Sequence, residues 1–145
     1  MAKSNGDGAA LIAAAERAAQ KSIKGKKGKR LAGAVSDYLQ HVPYHDLSGM
    51  DGTEIAGLIA AHLATGDVRK PGKAKIRVYT PQKKRDGWST EHSVIEIVTD
   101  DMPFLVDSVS SELTRRELPI HLVIHPILKV RRDKAGKVID ILERG

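Results

Sequence analysis

Two histidine pairs in this chain have the spacing of metal ligands. His41/His45 and His121/His125 show the H-x-x-x-H pattern that brings two imidazoles to one face of a helix as zinc ligands. Neither pair suits a metal, because Pro43 interrupts the first and the second lies in a β-branched run. Along a strand, four residues at about 3.3 Å each hold the rings too far apart. We predict no metal site, and expect His121 and His125 to be packed or hydrogen-bonded on one face of a strand.

Other catalytic arrangements are missing from the sequence. The chain has no cysteine, so it has neither a disulfide framework nor a thiol centre. No serine lies in a strand-turn-helix elbow, and no G-x-G-x-x-G stretch could hold a dinucleotide. We therefore predict no catalytic residue, no metal ligand and no cofactor-binding residue in this segment.

An acidic turn is the remaining candidate site. Asp100-Asp101 follows the β-branched run 94–98 and precedes an amphipathic helix over 105–113. These carboxylates can cap the helix, or they can bind a ligand ammonium while the helix amides bind a carboxylate. We expect the cap. After the helix, 120–130 reads as a strand and 133–137 as the turn of a hairpin into 138–142.

The first half of the chain reads as mainly helical. An alanine-rich helix over about 8–20 runs into a Gly/Lys segment, 24–29, which we expect to be mobile. Helices are predicted over 31–40 and 53–65, the second capped by Asp51 or Thr53. A strand follows over 74–80.

Charge is unevenly distributed along the chain. The formal net charge is +6, and residues 21–30 hold six Lys/Arg without an acid. A second acid-free basic tract spans 69–85, so nucleic-acid binding is an alternative function. Few aromatic side chains are available for base stacking, which argues against nucleic-acid binding.

No apolar run approaches the roughly 18 residues that span a bilayer, so we expect no membrane association. Because the chain has no cysteine, we expect a cytoplasmic location.

The stretches IEIVTDDMPFLVDSV and LPIHLVIHPIL carry a family resemblance. Together they resemble the N-terminal region of the large bacterial NAD-specific glutamate dehydrogenases, most strongly over about 91–131 and more loosely back to about 36. The resemblance implies an ACT-like module of an enzyme that oxidatively deaminates L-glutamate to 2-oxoglutarate and ammonia. It implies NAD in the full-length enzyme and no chemistry in this segment alone.

The acidic turn also resembles the ACT signature Asp-x-Pro-Gly-Leu-Leu. The residues that keep the pattern are Asp101, Pro103, Leu105 and Val106. Phe104 stands where the signature has glycine, and that glycine lets an amino-acid ligand approach the backbone. The resemblance implies an amino-acid or interface site at Asp100, Asp101, Phe104 and His121.

The expected fold is α+β, a ferredoxin-like, ACT-related antiparallel sheet with helices on one face and an N-terminal helical arm. An ACT module is expected to run βαββαβ, and the third of those strands falls at 138–142. We therefore expect the helix 53–65 and the strand 74–80 to replace the last helix and strand, which gives a circularly permuted order. The strand 74–80 would then pair antiparallel with 93–99. An incomplete domain with an exposed edge is the alternative.

Three segments are expected: a flexible helical and basic arm over 1–30, a helical segment over 31–70, and the ACT-like module over 71–145, to which the helix 53–65 can belong. The expected function is a regulatory or assembly module. Its expected partners are the remainder of the dehydrogenase, its own subunits in a homo-oligomer, and an amino-acid effector. Besides nucleic-acid binding, a free-standing ACT-type amino-acid sensor is the second alternative function.

Overall fold

The computed structural model describes residues 3–47 and 49–142, and side chains from residue 8 onward. It contains five α-helices, one 3-10 helix and four strands in the described part of the chain. The helices are α1 Lys3–Ser22, α2 Lys26–Leu39, the 3-10 helix Tyr44–Leu47, α3 Gly52–Thr65, α4 Lys83–Asp86 and α5 Leu105–Arg115. The strands are β1 Lys75–Tyr79, β2 Val94–Val98, β3 Lys129–Arg132 and β4 Val138–Leu142. The expected α+β class is confirmed.

The hydrophobic core lies between α1, α2 and α3. Apolar residues of α2 recur at four-residue spacing, so that Leu31, Val35 and Leu39 lie on one buried face. They pack with Ile55 and Ile59 of α3, which are 1% and 0% exposed. Alanines of α1 complete the core and let the helices approach closely. The predicted N-terminal helix is therefore part of the core.

The predicted start of the second helix requires a correction. The sequence predicted a helix over 31–40, whereas α2 begins at Lys26, so Lys26–Lys29 form its first turn. Gly28 explains the difference, because a Cβ at this position would lie 1.7 Å from the carbonyl oxygen of Ile23. The absence of a side chain allows the first turn of α2 to pack against the end of α1. The mobility expected of the Gly/Lys segment 24–29 remains a prediction, as does the division of the chain into three segments.

The strand β1 pairs antiparallel with β2, in the register Ile76↔Ile97, Arg77↔Glu96 and Val78↔Ile95. This is the pairing expected of 74–80 with 93–99. Opposed residues point to the same face, so Arg77 and Glu96 share the face towards α3. Ile76, Val78 and Ile95 lie on the other face.

The strands β3 and β4 form a separate antiparallel hairpin. A single bridge between Val68 and Lys137 ties this hairpin to the chain that follows α3. The single sheet expected from the sequence is thus present as two two-stranded sheets in the described residues.

The predicted strand over 120–130 is also corrected, since regular strand structure begins only at Lys129. Residues 121–128 nevertheless alternate between exposed and half-buried side chains. Leu122, Ile124 and Leu128 pack against the helical core. Pro126 has no N–H to donate to a neighbouring strand, and burial of one face replaces ladder hydrogen bonds here.

Candidate functional site

A cleft of about 550 Å³ lies between the C-terminal end of α3, the end of β2 with the acidic turn, and the β3–β4 hairpin. This size is typical of small-molecule sites. The charged side chains of its lining are Arg30, Asp67, Arg69, Asp100, Asp101, Lys129 and Arg132. Four cations therefore face three carboxylates, and apolar residues such as Leu105 and Leu128 supply the rest of the wall.

The acidic turn contributes both of its aspartates to the cleft. Asp100 accepts a hydrogen bond from Nη2 of Arg69 at 2.7 Å, which forms an ion pair. The expected capping role is wrong, because the N-cap of α5 is Phe104 and no side chain caps this helix. The helix starts too far along the chain for the aspartates to reach its first amides.

Phe104 takes the left-handed conformation, with φ 65° and ψ 13°. That conformation favours glycine, which explains why the ACT signature has glycine at this position. The phenylalanine is 74% exposed and does not line the cleft. Its ring therefore contributes to the surface of the module and not to the wall of the cleft.

The other predicted site residue, His121, lies apart from the cleft. Its ring stacks on that of His92, with the ring centroids 4.1 Å apart. His125 lines the cleft instead. Of the four predicted site residues, the structure thus brings together Asp100 and Asp101 and separates them from Phe104 and His121. Their role remains a prediction.

A hydrogen-bonded chain crosses from α2 through α3 to β2 at the back of the cleft. The Tyr38 hydroxyl lies 2.8 Å from Nδ1 of His62, and Nε2 of His62 lies 3.2 Å from the carbonyl oxygen of Ile97. A carbonyl can only accept, so Nε2 carries the proton, and in the neutral ring Nδ1 accepts from Tyr38. Burial, followed by the charge of Glu96, raises the pKa of Tyr38. The phenol therefore stays protonated and can donate to Nδ1, while the Ile97 carbonyl fixes the tautomer.

The Glu96 carboxylate is buried, at 5% exposure. It accepts hydrogen bonds from the Thr65 hydroxyl at 2.6 Å and the Tyr79 hydroxyl at 2.9 Å. Arg77 lies 3.8 Å away and stacks its guanidinium over the Tyr79 ring. This network joins α3 to both strands of the first sheet and holds the end of β2 at the cleft.

The Tyr79 phenol gives a prediction for alkaline pH. Burial, then the hydrogen bond and charge of Glu96, raise the pKa of Tyr79 from 10.0 to about 12. The unfolded chain loses this proton first, so the free energy of unfolding should fall as the pH rises from 10 towards 12. Urea unfolding across this range should show a smaller decline for Tyr79→Phe. Parallel profiles for the two proteins would contradict the expected role of Tyr79.

Several cleft residues were missed by sequence reasoning, chiefly Arg69 and Arg132. Arg69 appeared only as one member of a basic tract, yet it is 8% exposed. The sequence signal was a single arginine four residues after a helix, which is too common to be specific. Among the described residues, no group of three or more His, Cys, Asp or Glu side chains could hold a metal ion.

The fold and the cleft define a small α+β module of the ACT-like type. The family model described as glutamate dehydrogenase, ACT1 domain, matches residues 34–145. The chain belongs to this family, which confirms the resemblance found in the sequence.

Two relatives share the same name. The chain is 42% identical over 71 residues to the NAD-specific glutamate dehydrogenase of Pseudomonas aeruginosa, a match that covers 49% of the chain and 4% of the relative. It is 43% identical over 63 residues to the NAD-specific glutamate dehydrogenase of Halomonas elongata, which covers 43% of the chain and 4% of the relative. No solved structure matches the chain. No helix in the described residues is long and apolar enough to cross a membrane.

Proposed function

We propose that this chain is a regulatory or assembly module of a large NAD-dependent glutamate dehydrogenase that deaminates L-glutamate to 2-oxoglutarate. The module docks against the remainder of that enzyme and performs no chemistry alone. The observation that carries the proposal is a set of large apolar side chains that the module leaves exposed. Contiguous exposed apolar surface of this kind marks interaction sites. The relatives, of which the matches cover 4%, have ample further chain to cover it.

The outer face of the first sheet is the main part of this surface. Ile76, Val78 and Ile95 are 65%, 66% and 42% exposed and lie on adjacent strands. A sheet normally buries its apolar face, but here the charged face packs on α3 through Glu96, which accepts a hydrogen bond from Thr65 and lies 3.8 Å from Arg77. The apolar face is thus available to a partner.

The helix α5 adds a second part. It is amphipathic, with Leu105, Val109 and Leu113 at four-residue spacing, and these three side chains are only half-buried. An amphipathic helix gains most of its stability from packing of its apolar face. We infer that the remainder of the dehydrogenase covers this face.

NAD does not fit the residues described. Dinucleotides bind at a glycine-rich turn between parallel strands, whereas the strand pairs described are antiparallel. NAD binding is therefore assigned to another part of the enzyme. An amino-acid effector and homo-oligomeric association belong to the proposal, as does a cytoplasmic location.

The nucleic-acid alternative receives no support from the second basic tract. Arg69, Arg77 and Arg85 of this tract form ion pairs with Asp100, Asp86 and Asp86 respectively. Guanidinium groups with carboxylate partners attract phosphates less than free ones do.

The docking surface can be tested in the full-length enzyme with Ile76→Lys/Val78→Lys. Both side chains are largely exposed, so the isolated module should keep its stability to within about 0.5 kcal/mol. Charges in a buried interface are costly, so the enzyme should lose subunit assembly in sedimentation and, with it, activity. The matched control is Gln82→Lys/Ser89→Lys, which adds the same charge at two exposed positions. Normal assembly of the first variant would contradict the proposal.

A further inference from the structure

We propose that Arg69 and Arg132 form a subsite in the cleft that binds the carboxylate of a small organic acid. This inference rests on the effector of the proposed function and names the groups that bind its carboxylate, but it requires no docking to another part of the enzyme. It follows from how the two arginines are held, which of their donors are used, and which carboxylate lies against them.

The two arginines are fixed on the same backbone carbonyl. The main-chain N–H of Arg69 donates to the Gly136 carbonyl oxygen at 2.9 Å, and Nη1 of Arg132 donates to the same oxygen at 2.7 Å. Gly136 has φ 86°, and a Cβ there would lie 2.4 Å from the carbonyl oxygen of Arg69. The hairpin turn and the chain after α3 are therefore closely packed, and both side chains line the cleft.

Neither guanidinium uses all of its donors. Arg69 donates through Nη1 to the Lys73 carbonyl at 3.0 Å and through Nη2 to Asp100. The Nε atoms of Arg69 and Arg132 are buried and have no hydrogen-bond partner among the described residues. Both guanidinium groups are therefore held with incomplete hydrogen bonding, and a carboxylate bound at their cleft-facing edges would add charge-assisted hydrogen bonds.

The electrostatic environment also favours an added anion. Burial, followed by the nearby charge of Arg69, lowers the pKa of Arg132, and the carboxylates of Asp67 and Asp100 only partly oppose this. The guanidinium groups of Arg69 and Arg132 thus lie close together and are partly shielded from solvent. A bound carboxylate lowers their mutual repulsion.

In the module itself, the Asp100 carboxylate pairs with Arg69 at the place where a bound carboxylate would lie. Its side chain is 64% exposed, whereas that of Arg69 is 10% exposed. Asp100 can therefore turn into solvent while Arg69 stays in place. An incoming carboxylate would take the place of Asp100, and the charge of Arg69 would remain balanced.

A carboxylate suits the cleft better than a phosphate. Three aspartates line the cleft, and they repel a dianion more strongly than a single negative charge. The apolar wall at Leu128 and Ile141 suits the methylene groups of an organic acid.

The test is calorimetric titration of the 145-residue chain and its variants with glutarate, L-glutamate and inorganic phosphate. Arg132→Met should weaken glutarate binding by about tenfold or more, because it removes a charged hydrogen bond. Arg131→Met is the matched control, since Arg131 is the preceding residue of β3, is exposed and does not line the cleft. It should change the affinity less than about twofold.

Asp100→Asn gives an effect of opposite sign. Because it removes the competing carboxylate and leaves both arginines, it should tighten glutarate binding several-fold. This variant decides the question even if Arg132→Met fails to fold. The inference is overturned if Asp100→Asn leaves binding unchanged or weaker, if a folded Arg132→Met binds as the unmodified chain does, if phosphate binds more tightly than glutarate, or if no acid binds. Each of these outcomes leaves the assembly test unaffected.

Discussion

Gly28→Ala is expected to destabilise the module by roughly 2 to 3 kcal/mol, although alanine is the better helix former. A Cβ on Gly28 would lie 1.7 Å from the carbonyl oxygen of Ile23 and 2.9 Å from its carbonyl carbon. These are backbone atoms, so no side-chain rotation can relieve the clash. The turn between α1 and α2 must open, and part of the core contact between the two helices is lost with it.

The matched control is Gly33→Ala on the same helix. Gly33 is exposed, and a Cβ there has no other atom within 4 Å. This substitution should stabilise the module by up to about 1 kcal/mol, because alanine loses less backbone entropy in a helix. Urea unfolding of the two variants should therefore give shifts of opposite sign. Two shifts of the same sign would mean that α2 does not pack on α1 at Gly28.

Glu96→Ala is expected to cost about 2 to 4 kcal/mol. The substitution leaves the hydroxyls of Thr65 and Tyr79 without their acceptor and removes a charge partner of Arg77. The estimate stays below the full cost of breaking a buried pair, since Arg77 is 37% exposed and also pairs with Asp86. Equilibrium unfolding in urea measures the loss.

Two further variants separate charge from shape at this position. Glu96→Gln keeps the size and one acceptor, so it should cost roughly half as much as Glu96→Ala. Glu91→Ala removes an exposed carboxylate just before the same strand and should change stability by less than about 0.5 kcal/mol. If Glu96→Ala were as mild as Glu91→Ala, the network would not link α3 to the sheet.

Local signals in the sequence predicted much of the fold. Asp51 was one of two candidate caps, and its side chain accepts the N–H of Glu54 at 2.8 Å while the Glu54 side chain completes a capping box. The β1–β2 pair was predictable because both strands are β-branched and a loop of moderate length connects them. In each case the residues that decide the structure are close in sequence or follow a regular period.

The remaining features depend on packing contacts that leave no pattern in the sequence. Nothing near Gly28 in sequence shows that its missing side chain admits the end of α1. The stretch 121–128 has the composition of a strand, but its stabilisation comes from the helical core and not from a neighbouring strand. Composition cannot distinguish between these two environments.

The residues of the candidate site also fall into two groups, those that the sequence predicted and those that only the structure brings together. Asp100 and Asp101 were found because a family signature marks them. Arg69 and Arg132, which are far apart in the chain, meet only through the Gly136 carbonyl. Phe104 was noted as a departure from glycine, and its left-handed φ gives the physical reason why the family signature prefers glycine there.

Hydrogen exchange of α5 tests the central claim most directly, namely that this module docks against the rest of a larger dehydrogenase. In the isolated chain, no residue of α5 is buried, so the amides of Leu105–Arg115 should exchange rapidly. In the full-length enzyme the apolar face of α5 should be covered, and exchange there should slow by at least about tenfold. Amides of α3, which is packed in the core, should be protected in both samples. Equal exchange of α5 in the chain and in the enzyme would contradict the docking that we propose.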